Sequence, residues 1–505
     1  MFDETEGARI SGPRVRALVL AAGTGERFGG GKLAARIDGQ PVLRHVLDAV
    51  AAAGLGRPAL VLGPEDPPGV DLGGTTIVRN PNPAAGLSSS LRIGWRSAAS
   101  TWPLEAAPPD AVLVVLGDQP LLRPDVLVRL AAEPLDPDRP IVAARYAGTG
   151  ARMPVRIEAT AAGLVEAATG DRGLGPVIDA NPDQVRWVEV DGDNPDVDTP
   201  GDLARVAELL WAARVRGNRE QVDRFREEAD GADFYARVSS IFRDDPDRTG
   251  DPVLDALREH ARPDETWLDI GAGAGRYALP VARSVRRVIA LDPSPSMLDG
   301  LRAGMAEHGI ENVDVVQARW PDAVEAGSAD LDGRLPADVS LIAHVGYDVE
   351  QIWPFVAAME RATRRLCLAV LMERSPASLA EPFWIELHGE RRVSLPALPA
   401  FTDLLAAHGR APSVRMLQAE RRTWSSRDEL ERFVRRQTWV AAGSAKDRRL
   451  GKLLDEWVVE APGGGVDLSV AEPLQVGLVA WTPRGGSPPE RSITRRSGPG
   501  RRAGR

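Results

Sequence analysis

A single cysteine, Cys367, stands in the whole chain, inside the apolar run 366–372. One thiol cannot close an intrachain disulfide or build a zinc cluster of cysteines, so the fold must rest on packing. Among aliphatic neighbours it reads as a small buried hydrophobe. Lysine is nearly as scarce: Lys32, Lys446 and Lys452 are the only three, against an abundance of arginine. A lysine kept at Lys32 therefore points to a use for its compact ammonium. No stretch approaches the roughly 18 apolar residues that a membrane-spanning helix needs. The first ten residues are acidic and lack an apolar segment, so no signal peptide is expected. Basic excess is missing as well. The net charge is −10, a poor basis for binding nucleic acid, and none is expected as a partner. These absences predict a soluble cytoplasmic protein with no membrane partner.

What is present is length and rhythm. At 505 residues the chain predicts several domains. Short apolar runs at 17–21, 58–62, 111–116, 141–144 and 185–190 alternate with helix-length segments, the first at 41–53. Runs apolar on both faces and separated by helices predict a parallel sheet covered on both sides. A charged helical stretch without strand signals follows from 202 to about 235. The rhythm then restarts at 266–270, 287–291, 313–317, 339–343 and 365–371, with further strands at 414–420 and 474–481 around a helix at 426–440. The last segment, 484–505, is mostly Gly, Ser, Pro and arginine, seven of the last, with Ile493 its one large aliphatic residue, and is expected to be disordered. The expected domains are 14–210 and 233–483, joined by a helical linker at 211–232. No internal repeat is seen.

The first strand opens into Ala22-Gly23-Thr24-Gly25-Glu26-Arg27-Phe28-Gly29-Gly30-Gly31-Lys32. Glycines after a strand let backbone N–H groups close on phosphate oxygens, and Arg27 and Lys32 bring two cations to the same anion. Gly23-Thr24-Gly25 alone is compatible with any tight turn, and the string is not a P-loop, for no Gly-Lys-Ser/Thr follows. Asp118, in Gly117-Asp118-Gln119-Pro120, ends a buried strand where open α/β sheets keep their ligands. Asp198, in Asp196-Val197-Asp198-Thr199-Pro200, is either a second acid for that site or the cap of the helix beginning at Pro200.

Leu20, Ala21, Gly23, Arg27, Phe28, Gly29 and Lys32 together resemble the signature of nucleotidyltransferases that activate sugars, isoprenoid precursors and molybdopterin. The resemblance implies Mg²⁺ held by Asp118 and Asp198, catalytic roles for Arg27, Lys32 and Asp118, and a nucleotide held by Leu20, Ala21, Ala22, Gly23 and Gly25. The stretch 80–94 resembles the molybdenum-cofactor branch, which adds Gly86, Ser88 and Ser89 beside the base. Gly170-Asp171-Arg172-Gly173 resembles the same branch on its pterin side. Guanylyl members read Gly where this chain has Ala22. A methyl there narrows the pocket against a purine by about 1–3 kcal/mol and points to CTP. The implied partners are CTP and molybdenum cofactor, with an apo molybdenum hydroxylase as candidate recipient.

In the second half, Asp269-Ile270-Gly271-Ala272-Gly273-Ala274-Gly275 follows a strand, and Asp292 closes the next one, seventeen residues after Gly275. An acid so placed can accept both ribose hydroxyls of an adenosine. With Pro293-Ser294-Pro295-Ser296-Met297-Leu298, the pattern resembles class I methyltransferases that use S-adenosylmethionine. The resemblance implies a cofactor held by Asp269, Gly271, Gly273, Gly275, Asp292, Met297 and Trp320, the last either stacked on adenine or placed in the core. His344 follows the fourth strand as a base or a structural residue. The fold class expected is α/β, with two Rossmann-like doubly wound domains and a disordered tail. Three readings stay open: a cytidylyltransferase for molybdenum cofactor joined to a methyltransferase; a nucleotidyltransferase for a sugar phosphate or phospholactate, or one using GTP; and a C-terminal methyltransferase fold that delivers cofactor without catalysis.

Overall fold

The computed structural model describes residues 12–102, 107–148, 152–227, 244–325, 327, 331, 333–417, 423–461 and 464–483. The tail at 484–505 lies outside them, as do parts of the expected linker and of the expected strand 414–420. The chain divides into two compact units, Met1–Leu210 and Trp211–Arg505. The division falls within one helix, Pro200–Phe225. Residues of the expected linker belong to this helix, and Trp211 and Gln221 donate to the carbonyls of Val349 and Arg391 within the second unit.

The first unit is built on strands β1 (Val15–Ala21), β2 (Ala59–Leu62), β3 (Thr76–Arg79), β4 (Ala111–Leu116), β5 (Ile141–Tyr146), β6 (Val155–Glu158) and β7 (Val185–Val190), in the order β3-β2-β1-β4-β6-β5-β7. Alternation along β1 sends Ala17, Val19 and Ala21 to an apolar layer with the helix Val42–Ala52. Leu18, Leu20 and Ala22 go to the other layer with the helix Leu87–Ala98. That helix sits close because Gly94 faces the sheet; a Cβ there would lie 2.5 Å from Leu18 and Val61.

The sheet corrects the parallel expectation. Strand β6 runs antiparallel to both β4 and β5. Its sequence, Val-Arg-Ile-Glu, alternates like a solvent-facing strand, yet all four residues are buried. Backbone groups and mutual pairing hold the two charges: Arg156 donates to the carbonyls of Glu133 and Pro134, Glu158 accepts from the Asp136 N–H, and the two side chains lie 3.9 Å apart. Strand β3 was also not expected, because at the sheet edge every second residue is exposed.

The second unit carries β8 (Thr266–Ile270), β9 (Arg287–Asp292), β10 (Val313–Gln317), β11 (Ala337–Ala343), β12 (Thr363–Met372), β13 (Ser413–Leu417) and β14 (Val476–Trp481), in the order β10-β9-β8-β11-β12-β14-β13. Strands β8 to β12 are parallel, and β14 is antiparallel between β12 and β13. The order reverses at β8, so the crevice beyond the carboxyl ends of β8 and β11 is the expected ligand position. Cys367 is buried in β12, its thiol pushed up to about 12 by burial. The residues between β12 and β14 form an insertion with its own apolar cluster, including Phe383, Leu430, Val434, Leu450 and Leu454. Its helix Ala445–Trp457 follows Arg427–Thr438 as a separate element.

Candidate active sites

Strand β1 delivers Leu20, Ala21 and Ala22, all nearly inaccessible, to the foot of the glycine loop. Ala22 lies in the same apolar layer as Leu20 and Leu91. Beyond it the chain turns through Gly25, Gly29, Gly30 and Gly31, all with positive φ. Nothing lies within 4 Å of where a Cβ would stand on Gly23, Gly29, Gly30 or Gly31, so an anion can approach this backbone directly. Lys32 follows, its aliphatic stem against Gly25.

The Lys32 ammonium is the centre of the site. It donates to Asp118 Oδ2 at 2.5 Å and to Asp198 Oδ1 at 3.1 Å. Arg27, largely exposed, takes Asp198 Oδ2 at 2.7 Å. Four residues from three distant segments are thus brought together. Burial works to lower the pKa of Lys32, but the charges and hydrogen bonds of Asp118 and Asp198 outweigh it and raise it above the ordinary value. The other oxygen of Asp118, Oδ1, is buried with no hydrogen-bond partner among the described residues. A buried carboxylate oxygen without a partner is costly unless something is meant to bind there. It fits a hard cation such as Mg²⁺, which takes one or two carboxylates and completes its shell with phosphate oxygens.

The capping question is settled by the neighbours of Asp198. Asp202 accepts from the N–H and hydroxyl of Thr199, and Thr199 accepts from the Asp202 N–H. This reciprocal cap starts the helix and leaves the Asp198 carboxylate to the site.

Asp196, Gln119 and Asn194 join the site without having been singled out from sequence. Gln119 donates to Asp196 Oδ1 at 2.7 Å and to the Asn194 carbonyl, and accepts from the Asn194 side-chain amide at 3.1 Å. The Val197 N–H bonds the Asp118 carbonyl. This clasp fixes the two acid-bearing segments in register. Asp196 is exposed as a residue, yet its carboxyl is pushed up to about 6, first by the protein packed round it and then by the Asp118 charge. The signal for Gln119 was available: a polar side chain directly after a strand-end acid.

Gly86 opens the helix Leu87–Ala98 at φ 91°, ψ 171°, a conformation that suits glycine. A Cβ on Gly86 would lie 2.6 Å from Asp171 and 2.8 Å from the Gly170 backbone. The 80–94 and 170–173 stretches are therefore in contact. Ser88 is buried, and Ser89 receives a long hydrogen bond from the buried Asn80, which holds Ser90 at 2.9 Å.

In the second unit, Gly271, Gly273 and Gly275 all have positive φ, and a Cβ on Gly271 would fall 2.5 Å from Val345. Asp292 ends β9 with Oδ2 accepting from the Gly273 N–H at 2.9 Å and Oδ1 from the Ser294 N–H at 2.8 Å. These two backbone groups orient the carboxylate. Ser294 caps the helix Pro295–His308 through the Met297 N–H, which seats Met297 beside Gly273. Asp269 is buried, its carboxyl pushed up to about 7, first by burial and then by the Asp292 charge. His344 follows β11 at φ 57°, rare for a residue with a side chain, its ring 6.5 Å from that of Tyr277.

Trp320 is a correction. It is 6 % exposed, and its indole donates to the Phe355 carbonyl at 3.1 Å. It lies in the core, the second of the two places its sequence position allowed.

Comparison with known proteins finds a domain in each unit. Residues 17–185 match the family model of the MobA-like NTP transferase domain, and residues 268–362 match that of a methyltransferase domain. The chain is 28% identical over 139 residues to the tRNA/tmRNA (uracil-C(5))-methyltransferase of Pseudomonas aeruginosa strain UCBPP-PA14, covering 27% of this chain and 38% of that one. It is 39% identical over 121 residues to the bifunctional protein GlmU of Parvibaculum lavamentivorans, covering 22% of this chain and 24% of that one. Among solved structures, Rv0371c from Mycobacterium tuberculosis H37Rv shares 29% identity over 39% of this chain and 98% of its own, with a TM-score of 0.33. The chain thus spans well under half the length of these two curated relatives. It carries an NTP transferase domain followed by a methyltransferase domain. Among the described residues, no helix is long and apolar enough to cross a membrane.

Proposed function

We propose that the first unit transfers CMP from CTP to molybdenum cofactor with Mg²⁺, releasing pyrophosphate, and that the second unit transfers a methyl group from S-adenosylmethionine. The observation that carries the first reading is the convergence of Lys32, Arg27, Asp118 and Asp198 beside an open glycine loop. In the reaction a terminal phosphate oxygen of the cofactor attacks the α-phosphorus of CTP, the bond to the β-phosphate oxygen breaks, and pyrophosphate leaves with the electron pair. The residues bind and neutralise, and no protein nucleophile is needed. The loop N–H groups that are not spent inside the loop, as those of Phe28, Gly29 and Gly30 are, would meet the triphosphate, and Arg27 and Lys32 would meet the charge growing on the leaving group. Asp118, through Oδ1, and Asp198 would hold Mg²⁺, which supplies further charge neutralisation when bound. The contact of Gly86 with 170–171 supports one continuous surface for base and pterin, in line with the branch resemblance.

In the second unit Asp292 would accept the ribose hydroxyls, while the Gly271–Gly275 backbone accommodates the amino-acid portion of the donor. Methyl transfer then needs chiefly alignment of donor and acceptor. Incubating the full chain with CTP or GTP and either molybdenum cofactor or sugar phosphates, with pyrophosphate as readout, tests the first reading. Turnover of CTP with a sugar phosphate alone would replace it.

A further inference from the structure

Lys32 holds a position that a metal would need. Its ammonium lies between carboxylates from two separate segments, 2.5 Å from Asp118 Oδ2 and 3.1 Å from Asp198 Oδ1. Arg27 covers the second oxygen of Asp198. The carboxylate oxygen left over is Asp118 Oδ1, buried and without a partner among the described residues. Two cations already face these two acids, so a divalent ion entering alone would be repelled by both and could reach Asp198 only by displacing them. A triphosphate changes the balance, because its negative charges give Lys32 and Arg27 a stronger anion to pair with. Lys32 follows three successive glycines in the left-handed region that border open space, with nothing within 4 Å of where their Cβ atoms would be.

We infer that Lys32 is an internal cation competing with the divalent metal for Asp118 and Asp198, and that nucleotide admits the metal by drawing Lys32 away. The inference rests on the nucleotidyltransferase reading and adds an order of binding to it. Binding coupling is reciprocal, so nucleotide and metal must each tighten the other by the same factor. A factor on the order of tenfold sits within the range usual for such coupling.

Manganese binding to the full-length protein, followed by the electron paramagnetic resonance of free Mn²⁺, tests this without turnover. Wild type should bind Mn²⁺ weakly alone and on the order of tenfold tighter with an α,β-methylene analogue of CTP. Lys32→Met, which keeps the aliphatic stem against Gly25, should bind Mn²⁺ tighter than wild type without nucleotide, and the analogue should then add little. Asp118→Asn should abolish the Mn²⁺ site in both backgrounds. Circular dichroism checks that each variant is folded, and Lys32→Gln serves if Lys32→Met is not. Equal or weaker Mn²⁺ binding by a folded Lys32 variant overturns the inference, as does a wild-type metal affinity that a bound analogue leaves unchanged. Because the metal-only arm involves no nucleotide, tighter Mn²⁺ in the variant without CTP-dependent product would sink only the cofactor reading.

Discussion

At the scale of single residues, the two sites depend on acids whose environments differ. Asp118 gives one oxygen to Lys32 and keeps the other buried and unpartnered. Asp118→Asn should lower nucleotidyl transfer by about a hundredfold or more, the usual loss when a charge-stabilising group is removed, with little change in melting temperature. Gln119 acts through Asp196 and Asn194, so it is a positioning residue. Gln119→Leu leaves buried amide groups unpaired, a cost of about 1–3 kcal/mol. It should raise the metal concentration needed for half-maximal rate, and Gln119→Glu, which cannot donate to Asp196 and sets a second carboxylate against it, should not restore it; a fall in stability alone would mean the clasp is only structural. Asp269 makes a pH prediction. Its folded pKa, about 7, is above the ordinary 3.8, because burial and Asp292 disfavour the charge. The folded state then binds more protons than the unfolded between about pH 4 and pH 7, and stability falls as pH rises through that window. Asp269→Asn should therefore gain melting temperature relative to wild type from pH 5 to pH 8, the two converging at low pH. A difference independent of pH would contradict this.

At the scale of elements, what was legible in sequence was whatever is apolar on both faces. The strands around 17–21, 111–116, 266–270 and 287–291 are central and continuous, and they stand where expected. Strand β6 was not legible because its charges are satisfied by distant backbone, which no local pattern reports. Loop contents were legible as motifs, since a phosphate cradle requires glycines and cations in a fixed order. Their meeting points were not: the pairing of Arg27 with Asp198 spans 171 residues, and Trp320 could be placed only by its bond to Phe355. The contact of Gly86 with Gly170–Asp171 is the sharpest test at this level. Gly86→Ala should cost about 1–3 kcal/mol through backbone strain and crowding, and should raise the KM for nucleotide more than it lowers kcat. An unchanged KM would separate the 80–94 segment from the nucleotide.

At the scale of the whole molecule, the chain carries two sites in two compact units, each at the carboxyl ends of its own sheet. Each should therefore be separable by one substitution. Asp292→Ala should remove S-adenosylmethionine binding, measured by calorimetry, while leaving pyrophosphate release intact. Asp118→Asn should do the reverse. The central claim, that the Lys32–Asp118–Asp198 cluster serves CTP-dependent modification of molybdenum cofactor, is tested most directly by pyrophosphate release from the full-length protein with Mg²⁺, molybdenum cofactor and either CTP or GTP. The account predicts pyrophosphate from CTP in equal amount to the CMP-bearing cofactor, and its loss in Asp118→Asn. Release from GTP instead, from CTP only with a different phosphate, or undiminished in Asp118→Asn, would contradict it.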